Sequence, residues 1–142
     1  MIRAMRRRLA VLALTCMTPA VVVACASSDD GTLAGGCGER PEPASDLSVL
    51  PEGISLDEYG TVVRARAKNG FVGAHAVAQG NVDKLYTPLL RLLKDGGYDI
   101  VGEDNEGFEA EIFFMRNSDT GSLILRQGEC EGETNIILTF GS

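Results

Sequence analysis

Two runs of alternating apolar and polar residues near the middle of the chain predict a β-hairpin. The runs are Thr61–Lys68 and Phe71–Ala78, and only Asn69-Gly70 separates them. Asn-Gly between alternating runs favours a type I′ turn, because both central positions of that turn need positive φ. A two-residue loop also fixes the register, since it pairs Lys68 with Phe71 and steps outward from there.

The predicted register sorts the side chains of the hairpin onto two sides. The apolar side is nearly all alanine, with Val63 opposite Ala76, so we expect the next helix to lie close against it. The other side carries Arg66, and Arg64 opposite His75.

Apolar residues at steps of three and four positions predict one long helix after the hairpin. Asn81 suits its N-cap, and Gly96-Gly97 its C-terminal end. Pro88 either bends this helix or begins a second segment, with Thr87 as its N-cap. The stripe continues across Pro88, which favours one bent helix. Its apolar members are Val82, Leu85, Tyr86, Leu89, Leu90, Leu92 and Leu93.

Four further strands are predicted beyond the helix, separated by turns rich in Gly, Asn and Asp. They cover Tyr98–Gly102, Phe108–Met115, Ser122–Gln127 and Glu133–Phe140. Phe108 begins the apolar side of the second of these strands. The core residues expected from the last two are Leu123, Leu125, Ile136, Leu138 and Phe140. The order β-β-α-β-β-β-β predicts an α+β fold of two layers, one long helix packed on an antiparallel sheet.

The first 25 residues follow another pattern, with a basic start, an apolar stretch and a small residue before a cysteine. Arg6–Arg8 precede Leu9–Val23, in the order of a secretory signal. Val22-Val23-Ala24-Cys25 resembles the lipobox of bacterial lipoproteins. The resemblance implies that the Cys25 thiol receives a diacylglyceryl group and that residues 1–24 are cleaved off. The mature protein is then anchored in the cell membrane on the extracytoplasmic side.

Two alternatives to this interpretation are plain secretion and a retained membrane anchor. A spanning helix needs about 20 apolar residues, and here Thr15, Thr18 and Pro19 interrupt the stretch. The arginine run leaves twin-arginine export open beside Sec export.

After the cleavage site, a segment rich in Ser, Gly, Pro and Asp predicts a flexible tether over 25–46. Residues 47–142 then form one globular domain.

The charge balance of the mature chain narrows the choice of partners. Without residues 1–24 it keeps nine basic and 20 acidic residues, a formal charge of −11. Such a surface does not favour nucleic acid, which attracts basic proteins. Membrane association is therefore predicted through the N-terminal lipid alone. The alternative explanation of the acidic composition is that it keeps the domain soluble.

Two cysteines remain once Cys16 leaves with the signal and Cys25 carries lipid. Cys37 and Cys130 make an even pair in an oxidising compartment, which predicts a disulfide. A metal site or a reactive thiol is the alternative, but no further His or Cys stands near either position to complete metal ligation.

The sequence offers little chemistry for an active site. It contains no HExxH, GxSxG or CxxC motif and no Gly-rich phosphate loop. The acidic run Glu103–Glu106 lacks the spacing of a calcium loop and is interpreted as a solvated turn. We therefore predict no catalytic residue, no cofactor and no metal site.

The candidate binding surface is the side of the sheet away from the helix, where apolar residues stand among basic ones. The segment Leu47–Leu56 covering these residues, or scattered exposure, is the alternative. The cleft between the helix and the sheet is the other surface that a partner could use. The sequence favours a non-enzymatic binding or accessory module of the bacterial envelope, whose partner is an envelope protein, a wall polymer or a small ligand. The alternatives are a small envelope hydrolase using acidic residues and a structural subunit of an envelope complex. The residues of the predicted surface are Val62, Arg64, Arg66, His75, Val77, Phe113 and Met115.

Overall fold

A computed structural model of the chain describes Cys37 and residues 39–141. The predicted signal peptide, the lipobox and Cys25 lie outside this part of the chain. Six strands and one α-helix make an α+β fold, in the order β-β-α-β-β-β-β after a short 3-10 helix over Leu56–Glu58. The elements are β1 (Thr61–Lys68), β2 (Phe71–Gln79), α1 (Val82–Asp95), β3 (Asp99–Asn105), β4 (Glu109–Arg116), β5 (Asp119–Gln127) and β6 (Glu133–Gly141).

All six strands belong to one antiparallel sheet in the order β1-β2-β6-β5-β4-β3. The chain forms a hairpin, crosses over through α1 to the far edge, and then returns strand by strand. The last strand, β6, fills the place between β2 and β5. This closing step brings residues far apart in the sequence onto shared rows of the sheet.

The hairpin turn is as predicted, and the register follows it for most of the strand. Asn69 and Gly70 have φ of 53° and 83°, and Arg64 pairs with His75. The register then shifts by one residue between Val62 and Arg64, so Val62 instead of Val63 lies opposite Ala76. Such a β-bulge moves the following side chain to the other side of the sheet.

The helix α1 is continuous through Pro88, so the prediction of one helix is confirmed and the split is excluded. The Asn81 side chain accepts a hydrogen bond of 3.1 Å from the Lys84 backbone N–H, which satisfies one of the free donors of the first turn. At the other end Gly97 takes a φ of 79°, where a side chain is strained.

The core lies between α1 and one side of the sheet. The helix packs mainly against β3, β4 and β5, and every core residue expected from β5 and β6 is buried except Phe140, which is half-buried. Phe114 stacks on Phe140 with ring centroids 5.8 Å apart, and Tyr98 meets Phe114 edge-on at 5.2 Å. Edge-on and offset stacked pairs are favourable aromatic geometries.

The alanine-rich side of the hairpin is covered differently from the expectation that α1 lies on it. The 3-10 helix packs against β1, and Ile54 and Leu56 are buried in the same cluster as Ala74 and Ala76. The Ala44 backbone N–H also donates a 2.7 Å hydrogen bond to the Val62 carbonyl. The segment before β1 is therefore part of the core, on the helix side of the sheet.

Several strand boundaries differ from the sequence prediction, and β5 begins at Asp119 instead of Ser122. Phe108 precedes β4 and is 61% exposed, so it does not begin the apolar side of that strand. The strand β3 continues to Asn105 instead of ending at Gly102, and its polar residues Glu103–Asn105 pair with β4. An edge strand can be polar on both sides.

Candidate functional site

The side of the sheet opposite α1 is the candidate site and is called the outer face. The apolar residues of the segment over 44–60 belong to the core cluster on the helix side, so this segment does not cover the outer face. The interpretation that Leu47–Leu56 hides it is therefore wrong. Strand alternation assigns to the outer face the residues Thr61, Arg64, Arg66, Lys68, Phe71, Gly73, His75, Val77, Gln79, Asp99, Gly102, Asp104, Glu109, Glu111, Phe113, Met115, Thr120, Ser122, Ile124, Arg126, Glu133, Asn135, Ile137, Thr139 and Gly141.

The centre of the outer face is uncharged. Ile124 of β5 lies opposite Ile137 of β6, and both are half-buried. One step along the same strands, the hydroxyls of Ser122 and Thr139 are 2.8 Å apart and hydrogen-bond each other. The two hydroxyls therefore have one partner within the chain, and the isoleucine pair beside them is an apolar surface of the kind that favours contact with another surface.

The two edges of the outer face carry opposite charge. Arg64, Arg66 and Lys68 follow one another along β1, and all three are exposed. Asp99 and Asp104 lie on β3 at the other edge. The face is thus an apolar strip between a basic edge and an acidic edge, about 24 Å apart at the usual strand spacing.

Several polar groups of the outer face already have partners. Arg126 and Glu109 form a two-pronged ion pair, with Nε to Oε2 at 2.8 Å and Nη2 to Oε1 at 3.2 Å. The hydrogen bonds that Arg126 donates to the Glu109 carboxylate raise the pKa of Arg126 further above its usual range. The Nε2 atom of His75 is 2.9 Å from the Asn135 Oδ1 atom. These pairs lie near one end of the face, and among the described residues none of them involves the basic side chains of β1.

The predicted surface residues fall on the outer face with one exception. Arg64, Arg66 and Phe113 are exposed there, and Phe113 keeps 43% of its surface accessible. The prediction for Val62 is wrong, because the bulge turns it into the core, where it is 3% exposed. The remaining three are half-buried on the outer face, namely His75, Val77 and Met115.

Sequence reasoning missed the apolar centre of this surface. Phe71 is 55% exposed, and Ile124 and Ile137 form the apolar centre. Alternation within β5 and β6 places Ile124 and Ile137 on the outer face, because the residues on either side of each in the sequence are buried in the core. The position of β6 between β2 and β5 is what unites them with the hairpin, and no local pattern contains that order.

The acidic residues of β3 do not converge on one site. Asp104 faces the outer side opposite Glu111, whereas Glu103 faces the helix, where its carboxylate accepts a 2.9 Å hydrogen bond from the Tyr86 hydroxyl. Burial raises the pKa of Tyr86 to about 12, and the neighbouring Glu103 carboxylate adds to the rise. An open groove of about 520 Å³ runs beside them, between Lys94 and β3. Within the described residues, no three His, Cys, Asp or Glu side chains are grouped to hold a metal ion.

The predicted cysteine pair is joined in the structure. Cys37 and Cys130 form a disulfide across a sequence separation of 93 residues. It ties the segment before the domain to the turn between β5 and β6, at the end of the sheet where β1 begins.

Comparison with known proteins does not assign the chain to a family. No protein-family model and no curated protein sequence matches this chain. Over Cys37 and residues 39–141, no helix has the length and apolar character needed to cross a bilayer.

Proposed function

We propose that this chain is a bacterial lipoprotein, anchored through Cys25 on the extracytoplasmic side of the cell membrane. The lipobox-like residues Val22–Cys25 motivate the anchor. The Cys37–Cys130 disulfide supports the location, because such bonds persist in oxidising compartments outside the cytoplasm.

The domain is proposed to be a two-layer module that presents one layer to a partner. The helix and the segment before β1 make up the inner layer, since both contribute buried residues to the same core cluster. The sheet makes up the other layer, with its outer face towards solvent. Two layers around one core are a common solution for small domains.

Binding through the outer face is the function that the geometry supports best. The observation that carries it is the uncovered apolar strip of Phe113, Ile124 and Ile137 between two oppositely charged edges. An apolar strip rimmed by charge is the usual anatomy of a docking surface.

The alternative of a hydrolase that uses acidic residues has less support from the geometry. Such an enzyme needs two carboxylates that face one reacting atom across a pocket. Around the groove at β3, Asp99 lies on the outer face and Glu103 on the helix side. The two carboxylates nearest the groove therefore point to opposite sides of the sheet.

The anchor is tested by replacing Cys25 with alanine in the full-length protein. We expect Cys25→Ala to lose labelling by palmitate and to accumulate as an unprocessed precursor. Cys16→Ala is the matched control, since it removes a thiol from the proposed signal peptide without touching the lipobox. Unchanged labelling of Cys25→Ala would show that the lipobox interpretation is wrong.

The docking surface is tested by a matched pair of exposed phenylalanines. Phe113 lies on the outer face, whereas Phe108 is exposed outside it. Phe113→Asp should remove bound partners from a pull-down of the membrane-bound protein, and Phe108→Asp should leave them. Equal recovery with both variants argues that docking occurs elsewhere.

A further inference from the structure

The outer face is complementary to a second copy of itself, and we propose that two chains form a dimer through it. This inference rests on the proposed docking function and names the partner of that surface. The two-fold axis runs parallel to the strands and lies between β5 and β6, at the middle of the six-strand order. A two-fold dimer of this kind uses the same surface on both subunits.

Cross-strand pairing arranges the outer face in rows that run across the whole sheet. One row is Arg64, His75, Ile137, Ile124, Glu111 and Asp104. The next row is Arg66, Gly73, Thr139, Ser122, Phe113 and Gly102. The third row is Lys68, Phe71, Gly141, Thr120, Met115 and Asp99. A two-fold axis parallel to the strands keeps each row at its own height and reverses its order.

The reversal places opposite charges against each other at both edges. In the first row Arg64 meets the partner's Asp104, and in the third row Lys68 meets the partner's Asp99. A two-fold axis perpendicular to the strands would instead stack the basic β1 strands on each other. Complementary edges of this kind favour one orientation over the other.

The centre of the face pairs like with like under the same operation. Ile137 meets the partner's Ile124, so the apolar strip of each chain covers that of the other. Thr139 meets the partner's Ser122, and these hydroxyls are already hydrogen-bonded within each chain at 2.8 Å. Neither contact buries a polar group without a partner, which would cost stability.

Gly73 is an independent sign that something packs on this face. It lies inside β2, its φ is outside the left-handed range, and a Cβ built on it would meet nothing within 4 Å. Glycine in a strand interior costs stability relative to alanine and often marks a close approach by another molecule. The proposed axis places the partner's Phe113, 43% exposed in the single chain, over this glycine.

The area of the face suits a specific dimer. A fourth row, of Val77, Asn135, Arg126 and Glu109, lies beside the first. Strands about 4.8 Å apart and rows about 6.8 Å apart give roughly 600–700 Å² per copy for six strands and four rows. The total of about 1,300 Å² lies at the lower end of stable protein interfaces. Twisted sheets stack face to face with nearly aligned strands, so the twist of each sheet does not prevent the contact.

The same axis also suits two anchored chains. It leaves the two Cys37–Cys130 disulfides at one end of the dimer, because strand direction is preserved along the axis. Cys37 of both chains then lies at the same end of the dimer, whereas the perpendicular axis would place the two at opposite ends.

Crosslinking between two differently tagged full-length chains in the envelope tests the geometry. One copy carries Arg64→Cys, the other carries Asp104→Cys, and a short bismaleimide joins nearby thiols without opening the Cys37–Cys130 disulfide. We expect the mixed pair to crosslink and the pair of two Arg64→Cys chains not to. No mixed product, or an equal yield from the two Arg64→Cys chains, would overturn the proposed dimer.

Charge exchange gives a second readout that does not need crosslinking. In sedimentation of the purified full-length protein, Arg64→Asp should weaken the dimer about tenfold, and adding Asp104→Arg should restore it. Arg91→Asp, an equal change on the exposed side of α1, is the matched control. Equal weakening by both single variants, or no recovery in the double variant, contradicts the proposed contact.

Gly73→Val separates dimerisation from folding. The added side chain occupies the place of the partner's Phe113 but meets nothing within its own chain, so the dimer should be lost while the domain stays as stable as before. A dimer that tolerates Gly73→Val argues against this interface. A monomeric chain that still loses its partners with Phe113→Asp would refute the dimer and keep the docking function.

Discussion

Replacing Gly121 by alanine should destabilise the domain by about 2 kcal/mol, because the sheet has no room for one more methyl group. Gly121 lies in β5 on the helix side, between Phe114 and Phe140 of the two neighbouring strands. A Cβ built on it would lie 2.6 Å from the Phe114 Cζ atom and 2.6 Å from the Thr139 carbonyl oxygen. Favourable contacts between carbon atoms begin at about 3.5 Å, so both neighbours have to shift.

Neither neighbour shifts easily. Phe114 is fully buried, with Phe140 stacked on it at 5.8 Å and Tyr98 against it at 5.2 Å. The Thr139 carbonyl belongs to the backbone of β6. Overpacking costs about 1–3 kcal/mol, and obstruction on two sides places this site in the upper part of that range. The lower chain entropy of unfolded alanine returns about 0.4–1 kcal/mol, which leaves the net loss given above.

Reversible urea unfolding of dilute protein measures this loss. Tyrosine fluorescence or far-ultraviolet circular dichroism reports the transition, because the chain has no tryptophan. Gly73→Ala is the matched control on the opposite side of the sheet, and we expect it to leave stability unchanged or raise it by up to about 1 kcal/mol. Phe114→Leu should recover part of the loss in the Gly121→Ala background. Equal stability of the two Gly→Ala variants would refute the steric reasoning.

Two further predictions follow from the disulfide and from Tyr86. Replacing Cys37 and Cys130 by serine should lower the free energy of unfolding by about 4–5 kcal/mol on the chain-entropy model for a loop of this length. Unfolding of the variant is compared with that of the oxidised parent, and a loss below about 1 kcal/mol would contradict that model. Because the pKa of Tyr86 is raised from 10.0 to about 12 in the folded state, its contribution to stability is complete below pH 10 and is lost as the pH rises through 12. Unfolding at increasing pH should therefore show a shallower decline for Tyr86→Phe, and parallel curves would exclude this role.

The sequence predicts the hairpin well up to the point where its pattern becomes ambiguous. Asn69-Gly70 fixes the turn, and alternation fixes the register as far as Arg64. Val62 and Val63 are adjacent and equally apolar, so a period of two cannot decide which one enters the core. The bulge between Val62 and Arg64 settles the choice through tertiary contacts, including the hydrogen bond from Ala44.

The candidate site shows the same limit on a larger scale. Each strand reveals its own two sides, so Phe113 and Arg64 could be assigned to the outer face from the sequence. The sequence does not predict which strands lie next to each other, because β6 pairs with β2 across more than 50 residues of chain. The opposition of a basic and an acidic edge therefore appears only when the strand order is known.

Glycine and alanine residues lie on both sides of the sheet, but contacts within one chain explain only those on the helix side. On the helix side, Gly121 is required by Phe114 and the alanines of β2 lie beneath the segment before β1. On the outer face Gly73 has open space above it and ordinary backbone angles, so neither packing nor conformation within the chain requires glycine there. A second surface over Gly73 supplies the missing reason. The two-fold arrangement provides that surface with an exposed aromatic ring at the right height, and it does so with the same operation that pairs the charged edges.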